Sequence, residues 1–136
     1  MLVHLYTDGG SRGNPGPSAI GFVIYKLDKF NKLDQLDQSG LCIGNTTNNV
    51  AEYKALIYAL ARCQELGAKQ VNCFLDSLLV VNQLNGKFKI KDAKLIPLAQ
   101  KIKTLEKNFE GVSYTYIPRE KNRLADSLVN EALNYR

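Results

Sequence analysis

The chain has 136 residues, 45% of them apolar, with 18 Lys and Arg against 13 Asp and Glu for a formal charge of +5. That length fits one domain and excludes a second of ordinary size, and the apolar share excludes a largely disordered chain. A modest basic balance is compatible with a polyanionic partner but does not demand one.

Residues 2–7 (LVHLYT) alternate and are β-prone, which predicts a first strand ending at Asp8. The dense Gly and Pro of GGSRGNPGP (9–17) predict a turn or loop. AIGFVIYKL (19–27) reads as a second strand, the polar 28–40 as a connection with a possible hairpin tip, and LCIGN (41–45) as a short third strand. From 48 to 66 the period changes: Tyr53, Leu56, Ile57, Leu60, Cys63 and Leu66 share one helical face, Gly67 closes the helix, and Asn48 or Asn49 could cap it. QVNCFL (70–75) predicts a strand ending at Asp76, and 77–86 a short helix with a Gly stop. After the basic stretch KFKIKDAK, Leu95, Ala99, Ile102, Leu105 and Phe109 mark a longer helix. VSYTYI (112–117) is the last strand, ended by Pro118, and a final helix runs from about Asn122. The order βββαβααβα implies an α/β fold: a mixed five-stranded sheet, three strands antiparallel and two added in parallel, with helices on both faces.

Cys42, Cys63 and Cys73 are odd in number, form no CxxC pair and lie in apolar segments, so three buried, reduced thiols of a cytoplasmic protein are expected. His4 is the only histidine, which argues against a zinc site. The opening MLVHLYTDGG lacks a signal-peptide layout, and no apolar run is long enough for a bilayer, so no membrane partner is expected. A monomer is the default.

The acids at element ends carry the chemical information. Asp8 and Asp76 each follow a strand, and Glu52 and Asp126 each lie in the first turns of a helix. Parallel neighbouring strands would bring Asp8 and Asp76 to the edge where α/β sheets place ligands. Clustered carboxylates raise one another's pKa, and divalent cations resolve that conflict. Mg²⁺ prefers carboxylate oxygen and water and keeps positions open for phosphates. Two such ions ~3.5–4 Å apart can clamp the attacking and leaving oxygens of a phosphodiester. Each acid has a plain alternative. Asp76 is placed to cap the short helix, and Glu52 and Asp126 suit a helix N-terminus.

The segments around these acids resemble the ribonuclease H family, type 1. TDGGSRGNPGPSAIGFVI (7–24) resembles its first hairpin, and TTNNVAEYKALIYAL (46–60) its Thr-Asn-Asn entry to a helix bearing a catalytic Glu. LDSLLVVNQL (75–84) resembles its Asp-Ser helix opening, and REKNRLADSLVNEA (119–132) its Asn-x-x-Ala-Asp segment. Four motifs in family order span nearly the whole chain, so the resemblance implies one catalytic domain over 1–136. It implies a metal-dependent endoribonuclease that hydrolyses the RNA strand of RNA/DNA hybrids, leaving 5′-phosphate and 3′-hydroxyl ends. Asp8 would bridge two Mg²⁺ ions, with Mn²⁺ as a substitute. Asp126 would complete the site of the nucleophilic water, and Glu52 and Asp76 the second metal site. Glu52 would also face the ribose 2′-OH, the group that separates RNA from DNA. Gly9 lies in the first motif and is counted with the substrate-binding set. Asn14, Asn48 and Asn49 match positions contacting minor-groove sugars and bases, Thr47 a DNA-phosphate grip, and Gln83 a base contact.

The chain departs from that pattern in three places. Arg119 stands where many members have a loop histidine, so a titrating shuttle is replaced by a fixed cation. The Trp-containing basic protrusion is missing. GKFKIKDAK (86–94) alone joins the two helices, with Lys87, Phe88, Lys89 and Lys91 as a reduced DNA-strand channel or simply a solvated linker. Asp92 lies near where relatives offer Asn to a phosphate. No separate hybrid-binding domain is expected. Two other readings remain: a non-catalytic nucleic-acid-binding module, which retention of all four acids argues against, and a broader nuclease that also cuts double-stranded RNA.

Overall fold

The β-prone start of the chain forms β1 (Leu2–Ser11), which runs antiparallel to β2 (Gly16–Leu27) and parallel to β4 (Gln70–Leu75) in a computed structural model describing residues 1–136. β3 (Leu33–Thr46) lies outside β2, and β5 (Gly111–Tyr116) outside β4, giving the sheet order β3-β2-β1-β4-β5. The three-antiparallel, two-parallel pattern is the expected one. The helices are α1 (Asn48–Glu65), α2 (Leu78–Leu84), α3 (Ile96–Glu106) and α4 (Arg123–Asn134).

The alternation of β2 divides the helices between the faces. Ile20, Phe22 and Ile24 join Val3, Leu5, Val71, Cys73 and Leu75 in the main core beneath Tyr53, Leu56, Ala59, Leu60 and Cys63 of α1. Ala19 points the other way, into a small second core with Val129 and Leu133 of α4. Glycines let α4 lie close on that face. A Cβ on Gly21 would stand 2.5 Å from the Ala125 carbonyl oxygen, and one on Gly40 2.6 Å from that of Leu128.

Several boundaries differ from the sequence reading. Residues 33–40 are strand, not connection, so β3 is far longer than 41–45. Only Asp28–Lys32 turns, with the Asp28 carboxylate accepting from the Phe30 and Lys32 N–H groups at 2.8 and 2.9 Å. β3 is a polar edge strand and therefore lacks the apolar alternation that betrays a half-buried one. β1 does not end at Asp8, because β2 pairs with it through Ser11↔Ser18, and the turn shrinks to residues 12–15. The cap of α1 is Thr47, whose Oγ1 accepts from Val50 N at 3.2 Å, and not Asn48 or Asn49. Ser77, not Asp76, caps α2. A single 3₁₀ turn, Arg119–Lys121, precedes α4. Cys63 and Cys73 are buried as expected, but Cys42 is exposed, because β3 is an edge strand. No helix is long and apolar enough to cross a membrane.

Candidate active site

The strand register assembles the site. The β1–β4 pairing stops at Thr7↔Leu75, so Asp8 and Asp76 are the next residues on adjacent parallel strands. β4 ends there, while β1 continues along β2 alone and leaves space above the sheet. α1 enters that space over Gly9. A Cβ there would lie 2.3 Å from the Ala51 carbonyl carbon and 2.5 Å from the Glu52 nitrogen. The bare Gly9 backbone is what allows Glu52 to reach the carboxylates, so Gly9 acts through close approach.

Carboxylate oxygens of Asp8, Glu52 and Asp76 lie within 4.8 Å of one another. Asp126, on the first turn of α4, lines the same cleft of about 460 Å³. Only Arg12 and Arg119 bring positive charge to its lining. Asp8 and Glu52 are 7% and 8% exposed, too little for water to screen four like charges. Burial, then the neighbouring Asp76 and Asp126, push the Asp8 carboxyl up to about 8. Burial, then Asp8 and Asp76, hold Glu52 well above the ordinary range. Asp76 is raised by burial, against the Asn122 hydrogen bond and Arg119, which pull it down.

Asp8, Glu52 and Asp76 form no ion pair within the chain, and such a set of oxygen donors suits a hard divalent cation. The Glu52 Oε2 atom is buried and has no hydrogen-bond partner, which an ion would supply. The Asp8, Glu52 and Asp76 donors therefore fit a metal, with Asp126 beside them.

The other expected residues divide into two groups. Asn48 and Asn49 line the cleft. The Asn48 Oδ1 accepts from Ser11 N at 2.9 Å, and the Asn14 Oδ1 from Asn48 N at 3.0 Å, which ties the β1–β2 turn to the start of α1. Thr47 stands next to them. Arg119 reaches Asp126, 3.7 Å from its Oδ1. Gln83 is elsewhere: its Oε1 accepts from the buried Tyr53 hydroxyl at 2.7 Å, and it does not line the cleft. Nor do Lys87, Phe88, Lys89 or Lys91, which stand exposed on the α2–α3 linker. Asp92 is occupied locally, accepting from Lys94 N at 2.9 Å.

Two residues at the cleft, Arg12 in its lining and Asn122 beneath it, have roles that the sequence reading did not assign. Arg12 crosses from the first turn to α4, donating to Asn134 Oδ1 at 2.6 Å and to the Asn130 carbonyl at 3.4 Å. Asn122 bridges β1 and Asp76. The only signal for Arg12 was a cation inside a Gly-rich turn. Asn122 opens the Asn-x-x-Ala-Asp motif, but only its place in that motif was read, with no role.

Residues 6–132 match the reverse transcriptase-like family. A bifunctional protein of Mycobacterium tuberculosis is 40% identical over 134 residues, covering 98% of this chain and 36% of its own length. The ribonuclease HI of Halobacterium salinarum is 41% identical over 132 residues, 97% of this chain and 64% of that one. The chain thus spans only about a third to two thirds of these relatives. The crystal structure of an RNase H1 from the same archaeon superposes with a TM-score of 0.95 at 40% identity over 100% of both chains. LC11-RNase H1, in complex with an RNA/DNA hybrid, gives 0.89 at 43% identity over 98% of this chain and 97% of that one.

Proposed function

Given that the chain belongs to the ribonuclease H family, type 1, we propose that it is a metal-dependent endonuclease cutting the RNA strand of RNA/DNA hybrids. The observation that carries this reading is the convergence of Asp8, Glu52 and Asp76 within 4.8 Å from three separate elements, with a buried Glu52 oxygen left unpartnered. A module that only bound nucleic acid would gain nothing from burying like charges beside its ligand, since they repel phosphate and cost stability.

Asp8, Glu52, Asp76 and Asp126 would hold two Mg²⁺ ions, with Mn²⁺ as a substitute. Bound divalent ions supply positive charge at the phosphodiester and an activated water. Asp8, central among the acids, would be shared, Asp126 would complete one site, and Glu52 and Asp76 the other. Attack in line on phosphorus with loss of the 3′-oxygen yields a 3′-hydroxyl and a 5′-phosphate. Glu52 stands on the α1 turn beside Asn48 and Asn49, where it would accept from the ribose 2′-OH and select RNA. The Asn14 and Asn48 side-chain oxygens are engaged by backbone N–H groups. Their amide nitrogens remain to donate to the acceptors of the minor groove. Asn49 would act beside them. Thr47 uses its oxygen on Val50 N, leaving its hydroxyl hydrogen for a DNA-strand phosphate. Arg119 would stabilise charge on phosphate or product at the Asp126 side. Asn14, Thr47, Asn48 and Asn49 gather on one rim, whereas Gln83 is turned toward Tyr53 and is the weakest member of the proposed substrate set.

The test is direct. Labelled hybrid, double-stranded RNA and double-stranded DNA are incubated with Mg²⁺, with Mn²⁺ and with chelator. We expect endonucleolytic cuts in the RNA strand of the hybrid, abolished by chelator. Absence of any metal-dependent cut in the hybrid would sink the reading. Cuts in double-stranded RNA as well would mark a broader nuclease.

A further inference from the structure

The acids sit on separate pieces of backbone: Asp8 within β1, Asp76 after β4, Asp126 on α4 and Glu52 on α1. A metal site tolerates little change in the spacing of its ligands, so something must set the distance between these pieces against their mutual repulsion.

Asn122 touches three of them. It is 2% exposed and directly precedes α4. Its Nδ2 donates to the Thr7 carbonyl at 2.8 Å, one residue before Asp8, and to Asp76 Oδ2 at 3.1 Å. Its own carbonyl accepts from Asp126 N at 3.1 Å. Both side-chain partners only accept, so the amide nitrogen must face them and the side chain has one orientation. A helix-capping role does not explain the residue, because its side chain makes no capping bond to α4. Its Oδ1 is buried and has no partner, an arrangement that capping would have relieved.

We propose that Asn122 is a positioning residue for the metal-binding carboxylates, fixing the Asp76 side chain and tying the start of α4, and with it Asp126, to the backbone beside Asp8. The inference rests on the metal-site reading above and deepens it. Groups that orient metal ligands usually matter by about 10–100-fold in metal affinity.

A control separates positioning from general stability. Asn85 makes the same kind of bond at the far side of the sheet, donating from Nδ2 to the Tyr114 carbonyl at 3.1 Å, with no acid of the cleft nearby. Metal-free wild-type protein, Asn122→Ala, Asn122→Ser and Asn85→Ala are titrated with Mg²⁺ by calorimetry, and their thermal unfolding is recorded. Asn122→Ala should bind Mg²⁺ about 10–100-fold more weakly. Ser, with one O–H donor and good capping character, should recover part of the loss. Asn85→Ala should lose stability and keep its Mg²⁺ affinity. At saturating Mg²⁺ the KM for hybrid should stay near wild type in Asn122→Ala. Wild-type Mg²⁺ affinity in Asn122→Ala overturns the proposal, as does an equal loss in Asn85→Ala. If the alanine variant does not fold, wild-type affinity in Asn122→Ser overturns it instead. If the wild type binds no Mg²⁺, the metal-site reading itself fails, a result distinct from either.

Discussion

The cleft and the α2–α3 linker both concentrate like charge, yet they are built in opposite ways. In the cleft, acids from β1, α1, the end of β4 and α4 are brought together with little water to screen them. In the linker, Lys87, Lys89 and Lys91 stand along an exposed segment with no ion-pair partner. Spread, hydrated charges cost the fold almost nothing. Buried, crowded charges are costly, and groups so perturbed gather at functional sites. The difference teaches that function is marked here by the confinement of charge more than by its sign, even in a chain whose net charge is +5.

The sharpest way to break the comparison is at Asp8, the acid proposed to be shared. Asp8→Asn should lower hybrid cleavage by several orders of magnitude, because metal activation supplies much of the barrier lowering. The same change should stabilise the metal-free fold at neutral to mildly alkaline pH. The sign follows from proton linkage. The Asp8 carboxyl titrates near 8 in the fold and near the ordinary 3.8 in the unfolded chain, so between these values the folded state binds more protons. Stability is then fully present below about 4 and falls as pH rises through 8. Glu52 and Asp76, shifted in the same direction, add to that slope. Thermal unfolding of both proteins in chelator from pH 5 to 9 should show a decline in wild type that is shallower in Asp8→Asn. Parallel curves, or near-wild-type cutting by the variant, would show that the cleft charge is not confined as described.

Gly9→Ala tests how the confinement is achieved. The added methyl would stand 2.3 Å from the Ala51 carbonyl carbon, where ordinary contact begins at 3.4 Å, so α1 must move by about an ångström. Displacements of about 1 Å can cost roughly a hundred-fold in rate, and overpacking about 1–3 kcal/mol in stability. Wild-type activity in this variant would mean that the seating of Glu52 against β1 is not needed.

Much of this was legible in sequence, and what was not has a physical cause. Strands β1 and β4 and the helix carrying Glu52 announce themselves because one side of each is buried, which leaves a period in the apolar residues, whereas β2, buried on both faces, reads as a continuous apolar run and β5 as a β-prone one. β3 leaves none over residues 33–40, since its side chains face water on both sides. The four acids could be read from their places at element ends and from the motifs around them. The pairing of Asn122 and Arg12 could not, even with Asn122 inside a recognised motif, because their bonds link residues more than a hundred positions apart and polar pairing has no period. Thr47 was read as a phosphate contact and missed as a cap, although a Thr before a helix serves both.

Arg119 tests the cation that pairs with an acid of the cleft. It lies 3.7 Å from Asp126, with its side chain 81% exposed, so its contribution to stability is small. Its effect should appear in turnover, where a guanidinium can pair with phosphate or organise product beside the ions. Arg119→Ala should lower kcat by roughly ten-fold, or ~1.4 kcal/mol. Lys should recover part, restoring charge without the fork. Steady-state kinetics on one hybrid decide the matter: two variants matching wild type would leave Arg119 with no part in the reaction.

The smallest effect is expected in the linker. Replacing Lys87, Lys89 and Lys91 together with Ala removes three exposed ammonium groups and no packing, so unfolding should shift by less than about 0.5 kcal/mol. Cleavage at low salt should also hardly change, since these residues are absent from the cleft. Any role they have is in holding the DNA strand through its phosphates. Each neutralised phosphate releases counterions and steepens the fall of affinity with salt by roughly 0.7–0.9 in log–log slope. With so short a basic segment, wild type should show a shallow slope equivalent to roughly 3–5 phosphate contacts. The triple variant should flatten it by about one to three contacts' worth, the number depending on how many lysines reach the backbone at once. Phe88, 51% exposed among them, would offer a ring to the sugar or base edge if the linker meets the hybrid, and Phe88→Ala should then weaken hybrid binding without changing the slope. Affinity measured from low to moderate salt, with Ca²⁺ replacing Mg²⁺ to prevent cutting, separates the two effects. An unchanged slope in the triple variant would show that the linker's charge stays in water when the hybrid is bound, leaving recognition to the Asn14, Thr47, Asn48 and Asn49 rim.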